Sequence, residues 1–240
     1  MQFKIFPKEI VQGVSETSFG SIKNPNRAIK FLKFLGYKKI KAKNLIWAEQ
    51  IFNNKIHICQ KKDGGKKIKG VDGLISNLPN QILVILSADC VPILIYDREN
   101  KVVAALHGAR ECLTKGILKN ALKELREKFN SKSKNLLVGI GPHIRACHYW
   151  LREKIYQKLK KTKFKKYFLE KNRRVYFDLT KLVIDQLLKF GIKKGQIEDC
   201  KICTYCCAKR FFSYRKKKDD PKFYPEKKPR FASFIGLLKS

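Results

Sequence analysis

Two apolar runs separated by a short charged segment are the clearest pattern in the chain. Residues 87–96 and 102–107 are almost wholly apolar, and the segment between them, 97–101, reads Asp-Arg-Glu-Asn-Lys. Runs of this length, broken by polar turn residues, are typical of buried β-strands joined by a tight connection. If the strands pair antiparallel, Cys90 near the start of the first and His107 at the end of the second lie at the same end of the hairpin.

Apolar spacing along the rest of the chain predicts helices and strands in alternation. Helical periodicity predicts helices over residues 27–35, 114–129, 150–170 and 180–190. Strands are predicted on either side of a turn at 53–54 and at 70–76, 136–142, 175–178 and 197–202, and 83–86 is expected to begin the strand that carries Cys90.

The alternation continues without a long linker or a shift in composition. We therefore expect one α/β domain over residues 1–240, built from a mixed sheet flanked by helices. The Lys/Asp/Pro-rich segment 216–229 is predicted to be a mobile basic loop.

Charge and cysteine content narrow the functional classes. The chain has 54 Lys and Arg against 20 Asp and Glu, a formal charge of +34. Most of the excess is dispersed Lys without interleaved aromatic residues, so we expect weak polyanion binding at low salt and no specific nucleic-acid partner. No apolar run approaches the ~18 residues of a membrane span, and the N-terminus does not resemble a signal peptide. We expect a cytoplasmic protein without a membrane partner, whose eight cysteines are thiols or metal ligands.

Cys90 and His107 together suggest two kinds of chemistry. A thiolate and an imidazole at one end of a hairpin can bind zinc, or they can act as a nucleophile and its base. A catalytic zinc site usually has three protein ligands, and the third either comes from His57, His143, His148 or another cysteine, or is absent. The alternative is a structural role, with a buried thiol and a hydrogen-bonded imidazole.

A second group of thiols lies near the C-terminus and comprises Cys200, Cys203, Cys206 and Cys207. Its spacing is compatible with a structural zinc or iron–sulfur site, and the alternative is a strand end followed by a turn with small thiols. Cys147 and His148 could approach this group in space. The aromatic run at 211–214 precedes Arg215, an arrangement that suits a nucleobase or a phosphate.

Five segments, in the same order, resemble motifs of one known family. They are 87–92 (T-A-D-C-x-P in the family), 104–107 (the start of A-x-H-x-G-W-R-G), 141–149 (G-P-x-I-x-x-C-C-Y/F), 203–215 (C-T…F-F-S-Y-R-R) and 230–235 (G-R-x-x-S-x-I). By these matches the chain resembles the laccase-domain family, also called the peptidoglycan editing factor or multifunctional purine nucleoside phosphorylase family.

The resemblance implies the fold of a bacterial cytotoxic necrotizing factor and phosphorolysis of adenosine, inosine or methylthioadenosine, with adenosine deamination as a second activity. It implies a His-Cys-His zinc site that includes Cys90 and His107, with the metal polarising water or the co-substrate phosphate for attack on a purine nucleoside. Asp89 would act with them by orienting the site or contacting substrate.

Three further residues are predicted to contact the substrate. They are Arg215, Cys147 and Gln50, and each lies in or beside a segment that corresponds to a family motif.

Two positions depart from the family motifs. The family's first ligand lies in Q-V-H-G, which corresponds to 50–53, so Phe52 stands where the histidine is expected. Phe cannot bind a metal, and we predict His57 as the substitute ligand, provided that the intervening loop turns back. Glu111 stands at the position of the family arginine and reverses its charge, while Arg110 supplies a cation one position earlier.

These departures leave two alternatives to a metal-assisted phosphorylase open. One is a binding protein that has kept the fold without the chemistry. The other is a metal-free cysteine hydrolase acting on peptidoglycan precursors, with Cys90 as nucleophile and His107 as base. A copper oxidase is disfavoured because multicopper oxidation needs several histidines at one site, and the chain has four in all.

Overall fold

Two large β-sheets organise the chain. The computed structural model describes residues 1–238, in which thirteen strands and six α-helices are formed. The strands are β1 Ile10–Val14, β2 Leu45–Ala48, β3 Ile56–Ile58, β4 Lys67–Ile68, β5 Gly73–Ser76, β6 Gln81–Ser87, β7 Val91–Asp97, β8 Val102–Gly108, β9 Leu136–Ile140, β10 Phe168–Lys171, β11 Arg174–Phe177, β12 Ile197–Asp199 and β13 Phe231–Leu237. The helices are α1 Pro25–Phe34, α2 Arg110–Thr114, α3 Ile117–Phe129, α4 Glu153–Leu159, α5 Leu179–Lys189 and α6 Tyr214–Asp219.

Both sheets are mixed. The first has the strand order β1-β13-β6-β2-β4 and the second β12-β9-β7-β8-β5-β3, while β10 and β11 form a separate hairpin. In the first sheet β6 is antiparallel to β13 and parallel to β2; in the second, β9 is antiparallel to β7 and parallel to β12. The predicted α/β fold with helices flanking a mixed sheet is confirmed, although the chain forms two large sheets rather than one. No helix within residues 1–238 is long and apolar enough to cross a bilayer.

The hairpin predicted from the two apolar runs is β7 and β8. They pair antiparallel, with Pro92 opposite His107. Every residue of both strands is buried because each face packs against a different layer. Ile93 faces the core that contains α3 and α5, and Leu94 faces the core shared with β6 and β13. A strand covered on both faces has no solvent-exposed positions, which explains the nearly continuous apolar sequence.

The strand predicted to run from 83–86 through Cys90 is in fact two strands. β6 ends at Ser87 in the first sheet, and β7 begins at Val91 in the second. Between them Asp89 has a φ of +89°, in the left-handed region, which breaks the extended path. The chain therefore passes from one sheet to the other at the residues predicted to carry the chemistry.

Two other predictions are wrong in part. The helix predicted over 150–170 ends at residue 159, and by 168 the chain is in β10, whose Phe168 ring packs 5.9 Å from that of Phe177. The loop predicted over 216–229 begins as α6. Farther along it, Tyr224 is buried and donates a hydrogen bond to the carbonyl of Ala208 at 2.9 Å.

His143 is a fully buried histidine whose role is structural. Nδ1 lies 2.8 Å from the carbonyl oxygen of Gly141, so it carries the proton, and Nε2 accepts from the hydroxyl of Thr180 at 2.8 Å. Burial lowers the pKa of His143 to about 4. The imidazole is therefore neutral in the folded protein at pH 7.

Replacing His143 by glutamine should reduce the loss of stability in acid. The unfolded chain binds a proton on this residue near pH 6.5, whereas the folded chain binds it near pH 4, so stability falls as pH decreases between these values. We expect His143 to contribute about 3 kcal/mol of this loss between pH 7 and pH 4. Urea unfolding across that range measures it. Thr162→Val, at an exposed position that leaves His143 and its partners in place, is the control and should keep the pH dependence; an unchanged dependence in His143→Gln would contradict the assignment.

Candidate functional site

A cavity opens where the hairpin of β7 and β8 ends. Its volume is about 670 Å³, within the usual range for small-molecule sites. Asp89 and Cys90, at the passage between the sheets, line it together with His107 near the end of β8. Other lining residues important to the site are Gln50, Phe52, Arg110, Glu111, Tyr149, Trp150, Arg215 and Arg230.

Asp72, in the turn before β5, connects two elements that meet at the cavity. Its carboxylate is fully buried: Oδ1 accepts a hydrogen bond from Nδ1 of His107 at 2.7 Å. Oδ2 accepts from the backbone N–H groups of Ile51 and Asn53 at 3.1 and 2.8 Å. Burial opposes ionisation, but these hydrogen bonds outweigh it and lower the pKa of Asp72. The carboxylate stays charged and holds a proton on Nδ1 of the imidazole.

Cys90 and His107 lie beside each other, as the register of β7 and β8 requires. The side chains of Cys90 and Cys112 both interact with the imidazole. Burial lowers the pKa of His107, but the charge of Cys90 and the hydrogen bond to Asp72 outweigh this effect and raise the pKa well above its usual value. The raised pKa favours the protonated ring, in which Nε2 carries a proton in addition to the one donated to Asp72.

Phe52 occupies the position at which a metal-binding histidine was expected. Its ring lies edge-on to the imidazole of His107, with centroids 5.2 Å apart and an interplanar angle of 70°. Its φ is +63°, in the left-handed region that bulky residues rarely adopt. The residues on either side of it donate the backbone hydrogen bonds to Asp72, so this carboxylate holds the strained loop in place.

The carboxylate of Asp89 holds part of the cavity wall in place by accepting hydrogen bonds from two other residues. Its Oδ1 accepts a hydrogen bond from the hydroxyl of Thr204 at 2.6 Å, and its Oδ2 accepts one from the backbone N–H of Arg215 at 2.6 Å. Burial raises the pKa of Asp89, although these hydrogen bonds oppose the rise. With both oxygens engaged by the protein, Asp89 is a positioning residue that ties the C-terminal segment to the passage between the sheets.

Two guanidinium groups line the cavity, and each contacts an aromatic side chain. Arg215 lies 4.5 Å from the centre of the Trp150 ring and donates to the Trp150 carbonyl at 3.1 Å. Arg110 donates from Nε to the hydroxyl of Tyr149 at 3.2 Å and pairs with the carboxylate of Glu111. Arg110 therefore supplies a cation beside the position where Glu111 reversed the expected charge. Burial raises the pKa of Tyr149 to about 12, so its hydroxyl is neutral.

The prediction that His57 is the third metal ligand is wrong in this structure. His57 lies on β3, which is separated from β8 by β5. Its Nε2 is 2.8 Å from Oδ2 of Asp63, and these two residues group with Cys59 rather than with Cys90. Phe52, in the loop before β3, lines the cavity, whereas His57 itself is not among the lining residues.

Of the three residues predicted to contact the substrate, two line the cavity and one does not. Arg215 lines the cavity as expected, and Gln50 lines it too, but the Gln50 amide makes both its hydrogen bonds to the backbone of Leu86, at 2.7 and 2.8 Å. Gln50 therefore fastens β2 to β6. Cys147 lies outside the cavity lining, beside Cys206 and His148, so its prediction as a substrate contact is corrected.

Asp72 is the functional residue that the sequence reasoning missed. It stands between Val71 and Gly73, where an aspartate followed by glycine reads as an ordinary turn. The sequence does hold one signal, since Asp72 is a charged residue directly before the apolar strand β5. In the structure this side chain is wholly buried. A carboxylate in such a position needs hydrogen-bond donors, and in this chain an imidazole is one of them.

The expected His-Cys-His zinc site does not fit this cavity. Cys90 and His107 line it, but the third place is taken by Phe52, which has no donor atom. Donor atoms of Asp72, His107 and Cys112 do lie within 4.8 Å of one another. Of these three residues, however, only His107 is part of the cavity lining, so the group lies behind the imidazole.

Comparison with known sequences identifies relatives of the chain. A Campylobacter jejuni protein named purine nucleoside phosphorylase is 34% identical over 190 residues, which are 79% of this chain and 78% of that protein. A Bacteroides thetaiotaomicron protein of the same name is 31% identical over 153 residues, 62% of this chain. That match spans 57% of the Bacteroides protein, so less than two thirds of the relative is represented.

Solved structures and a family profile agree with these sequence matches. YlmD from Geobacillus stearothermophilus superposes with a TM-score of 0.84 at 22% identity, covering 99% of this chain and 94% of that one. The hypothetical protein YfiH of Bacillus licheniformis gives 0.83 at 24%, covering 95% and 92%. Both show the same fold. The profile of the family described as multi-copper polyphenol oxidoreductase laccase matches residues 25–237, and the chain therefore belongs to this laccase-domain family.

Proposed function

We propose that this protein is a purine nucleoside phosphorylase that uses its own acid–base groups at the cavity. The observation that supports the proposal best is the His107 imidazole, which is held by Asp72 and has a raised pKa, in a cavity that also contains several guanidinium groups. The name shared by the Campylobacter and Bacteroides relatives points to the same reaction. Adenosine, inosine and methylthioadenosine are the proposed substrates, and adenosine deamination the proposed second activity.

Phosphorolysis requires an acid at the leaving base. An oxygen of phosphate forms a bond to the ribose C1′ while the bond from C1′ to the base nitrogen breaks, and the electron pair of that bond remains on the base. A proton delivered to the base neutralises this charge in the transition state. In the protonated ring that the raised pKa of His107 favours, Nε2 holds a proton that it can donate to the base, while Asp72 accepts the proton on Nδ1.

The charge of the cavity suits phosphate as the second substrate. Six of its lining residues are basic and three are acidic: Lys67, Arg110, Arg152, Arg215, Lys228 and Arg230 against Glu49, Asp89 and Glu111. Arg215 is the best placed of them, because stacking on Trp150 and a hydrogen bond to its carbonyl fix the guanidinium before an anion binds. A fixed guanidinium binds phosphate oxygens with little loss of side-chain entropy.

A metal has no assigned step in this proposal, since Phe52 removes one of the three expected ligands. Copper oxidation is not supported either. Copper oxidation needs several histidines at one site, whereas the imidazoles of His57, His107, His143 and His148 each have different side-chain partners.

A cysteine hydrolase is the second candidate, and one observation favours it. Cys90, His107 and Asp72 are arranged, in that order, as a nucleophile, its base and the group that orients the base. Such an enzyme would form a covalent bond from Cys90 to its substrate and would need no phosphate.

Base release from adenosine and inosine, with and without phosphate, tests the proposed function. We expect release that depends on phosphate and yields ribose 1-phosphate. In Cys90→Ala the alkaline limb of the pH–rate profile should move to lower pH, because the charge of Cys90 raises the pKa of His107. Cys207→Ala, which removes an exposed thiol outside the cavity lining, is the control. Phosphate-independent release, or a covalent adduct on Cys90, would favour the hydrolase.

Asp72→Asn should lower kcat by about 100-fold or more, because an amide cannot accept both the Nδ1 proton and the loop hydrogen bonds. Its stability should fall by about 1–3 kcal/mol, the usual cost of unsatisfied buried groups. Asp97→Asn is a matched control: this carboxylate is also fully buried and accepts three hydrogen bonds, from Glu99 and Asn100, away from the cavity. Equal activity in the two variants would contradict the role of Asp72.

Arg215→Gln should raise the KM for phosphate at least about tenfold, because it removes a fixed positive charge from the cavity. The KM for nucleoside should change less. Arg126→Gln, which removes an exposed arginine on α3, should leave both constants unchanged. Steady-state kinetics with phosphate varied at saturating inosine makes the measurement, and an unaltered phosphate KM in Arg215→Gln would place the anion elsewhere.

A further inference from the structure

Four metal-binding side chains outside the cavity lining converge on one point. The sulfur atoms of Cys147, Cys203 and Cys206 and a ring nitrogen of His148 all lie within 4.8 Å of one another. The Sγ atoms of Cys147 and Cys206 are 3.8 Å apart, and each lies 3.3 Å from Nδ1 of His148. The fold thus brings together two adjacent residues and a Cys-x-x-Cys pair that lie more than fifty positions apart in sequence.

The separations match a tetrahedral zinc site. A zinc ion with Zn–S bonds of about 2.3 Å and Zn–N bonds of about 2.0 Å keeps two sulfur ligands about 3.8 Å apart and a sulfur and a nitrogen about 3.5 Å apart. The measured 3.8 and 3.3 Å are close to these values. A disulfide would require the two sulfurs to approach to about 2.05 Å, so the observed spacing favours a shared ion over a covalent bond.

The backbone holds the ligands in place without using their donor atoms. His143 and Cys203 form a β-bridge, and the N–H of Thr204 donates to the His143 carbonyl at 3.0 Å. On the other side, the N–H of His148 donates to the Arg145 carbonyl at 3.0 Å. These hydrogen bonds bring the two ligand pairs together from separate segments.

Side-chain packing and exposure also suit an ion. The imidazole of His148 stacks on the ring of Tyr205, with centroids 4.2 Å apart and an interplanar angle of 16°. This contact fixes the ring plane and leaves Nδ1 directed at the sulfurs. Cys203 is buried, whereas Cys147 and Cys206 are exposed, so an ion can enter from solvent and still bind one buried thiolate.

We propose that Cys147, His148, Cys203 and Cys206 form a structural zinc site of the Cys₃His type. Four protein ligands leave no open position for a substrate, which distinguishes it from a catalytic site. Binding Zn²⁺ releases the thiol protons to solvent and forms three Zn–S bonds and one Zn–N bond, with no change of oxidation state. The site stands independently of the function proposed for the cavity.

The zinc site would stabilise one wall of the cavity. Thr204, next to the ligand Cys203, donates to Asp89, and Arg215 donates to the carbonyls of His148 and Trp150. An ion that joins the two ligand pairs therefore also fixes the backbone on which Arg215 rests. Loss of the ion should loosen this wall while leaving the central hairpin intact.

Zinc stoichiometry in matched variants tests the site. Proteins stripped with a chelator are titrated with Zn²⁺ in competition with a chromophoric chelator, in a Cys90→Ala background that removes the thiol of the cavity. We expect about one ion per chain in Cys90→Ala and in Cys90→Ala/Cys207→Ser, because Cys207 is an exposed neighbour outside the ligand group. Cys90→Ala/Cys206→Ser should bind more than about 100-fold more weakly, since even outer partners of a metal contribute 10–100-fold.

Cobalt spectra of the folded Cys90→Ala protein provide a second measurement that does not depend on a ligand variant. Co²⁺ should give the strong visible bands of a tetrahedral ion and a near-ultraviolet thiolate charge-transfer band whose intensity corresponds to three thiolates. Equal zinc affinity in the Cys206→Ser and Cys207→Ser proteins, weak octahedral cobalt bands, or a Cys147–Cys206 disulfide in freshly purified protein would each overturn the proposal.

Discussion

The cavity depends on the charge of one buried carboxylate. An ionised carboxylate is stable inside a protein only when hydrogen bonds replace its water, and Asp72 has three of them, from His107, Ile51 and Asn53. The same bonds hold the imidazole in one orientation and hold the loop that carries Phe52 in a strained conformation. The acid–base group and the aromatic ring beside it are therefore positioned by a single group that lies outside the cavity lining.

A second constraint is the passage of the chain between the two sheets. β6 and β7 are separated by three residues, and the left-handed φ of Asp89 turns the chain out of one sheet and into the other. The carboxylate of Asp89 anchors this irregular segment, because it accepts hydrogen bonds from the hydroxyl of Thr204 and the N–H of Arg215 in the C-terminal part of the chain. Cys90 is consequently held at the start of β7, an inner strand of the second sheet, and a guanidinium from a distant segment is brought to the same cavity.

The sequence predicted those elements in which local pattern and tertiary burial agree. The β7–β8 hairpin is one, since burial on both faces makes the strands continuously apolar, and the neighbouring positions of Cys90 and His107 follow from its register. The break at Asp89 could not be predicted, because its cause is a pair of hydrogen bonds from residues more than a hundred positions away. His57 was chosen for its nearness to Phe52 in sequence, yet an intervening strand separates it from His107. Asp72 was missed because a lone aspartate before glycine carries no information about a distant imidazole.

Positive charge attracts anions in two ways in this protein. The field of the dispersed lysines is unspecific, whereas a fixed guanidinium in the cavity can recognise one anion. The formal charge of +34 comes mostly from dispersed lysines, whose fields are screened beyond about 8 Å at physiological ionic strength. Such a field attracts any anion towards the surface and selects none. Arg215 differs because stacking on Trp150 and a hydrogen bond to a backbone carbonyl fix its guanidinium in a cavity partly shielded from water. Recognition of an anion therefore depends on how one arginine is supported, and the net charge affects mainly how fast that anion arrives.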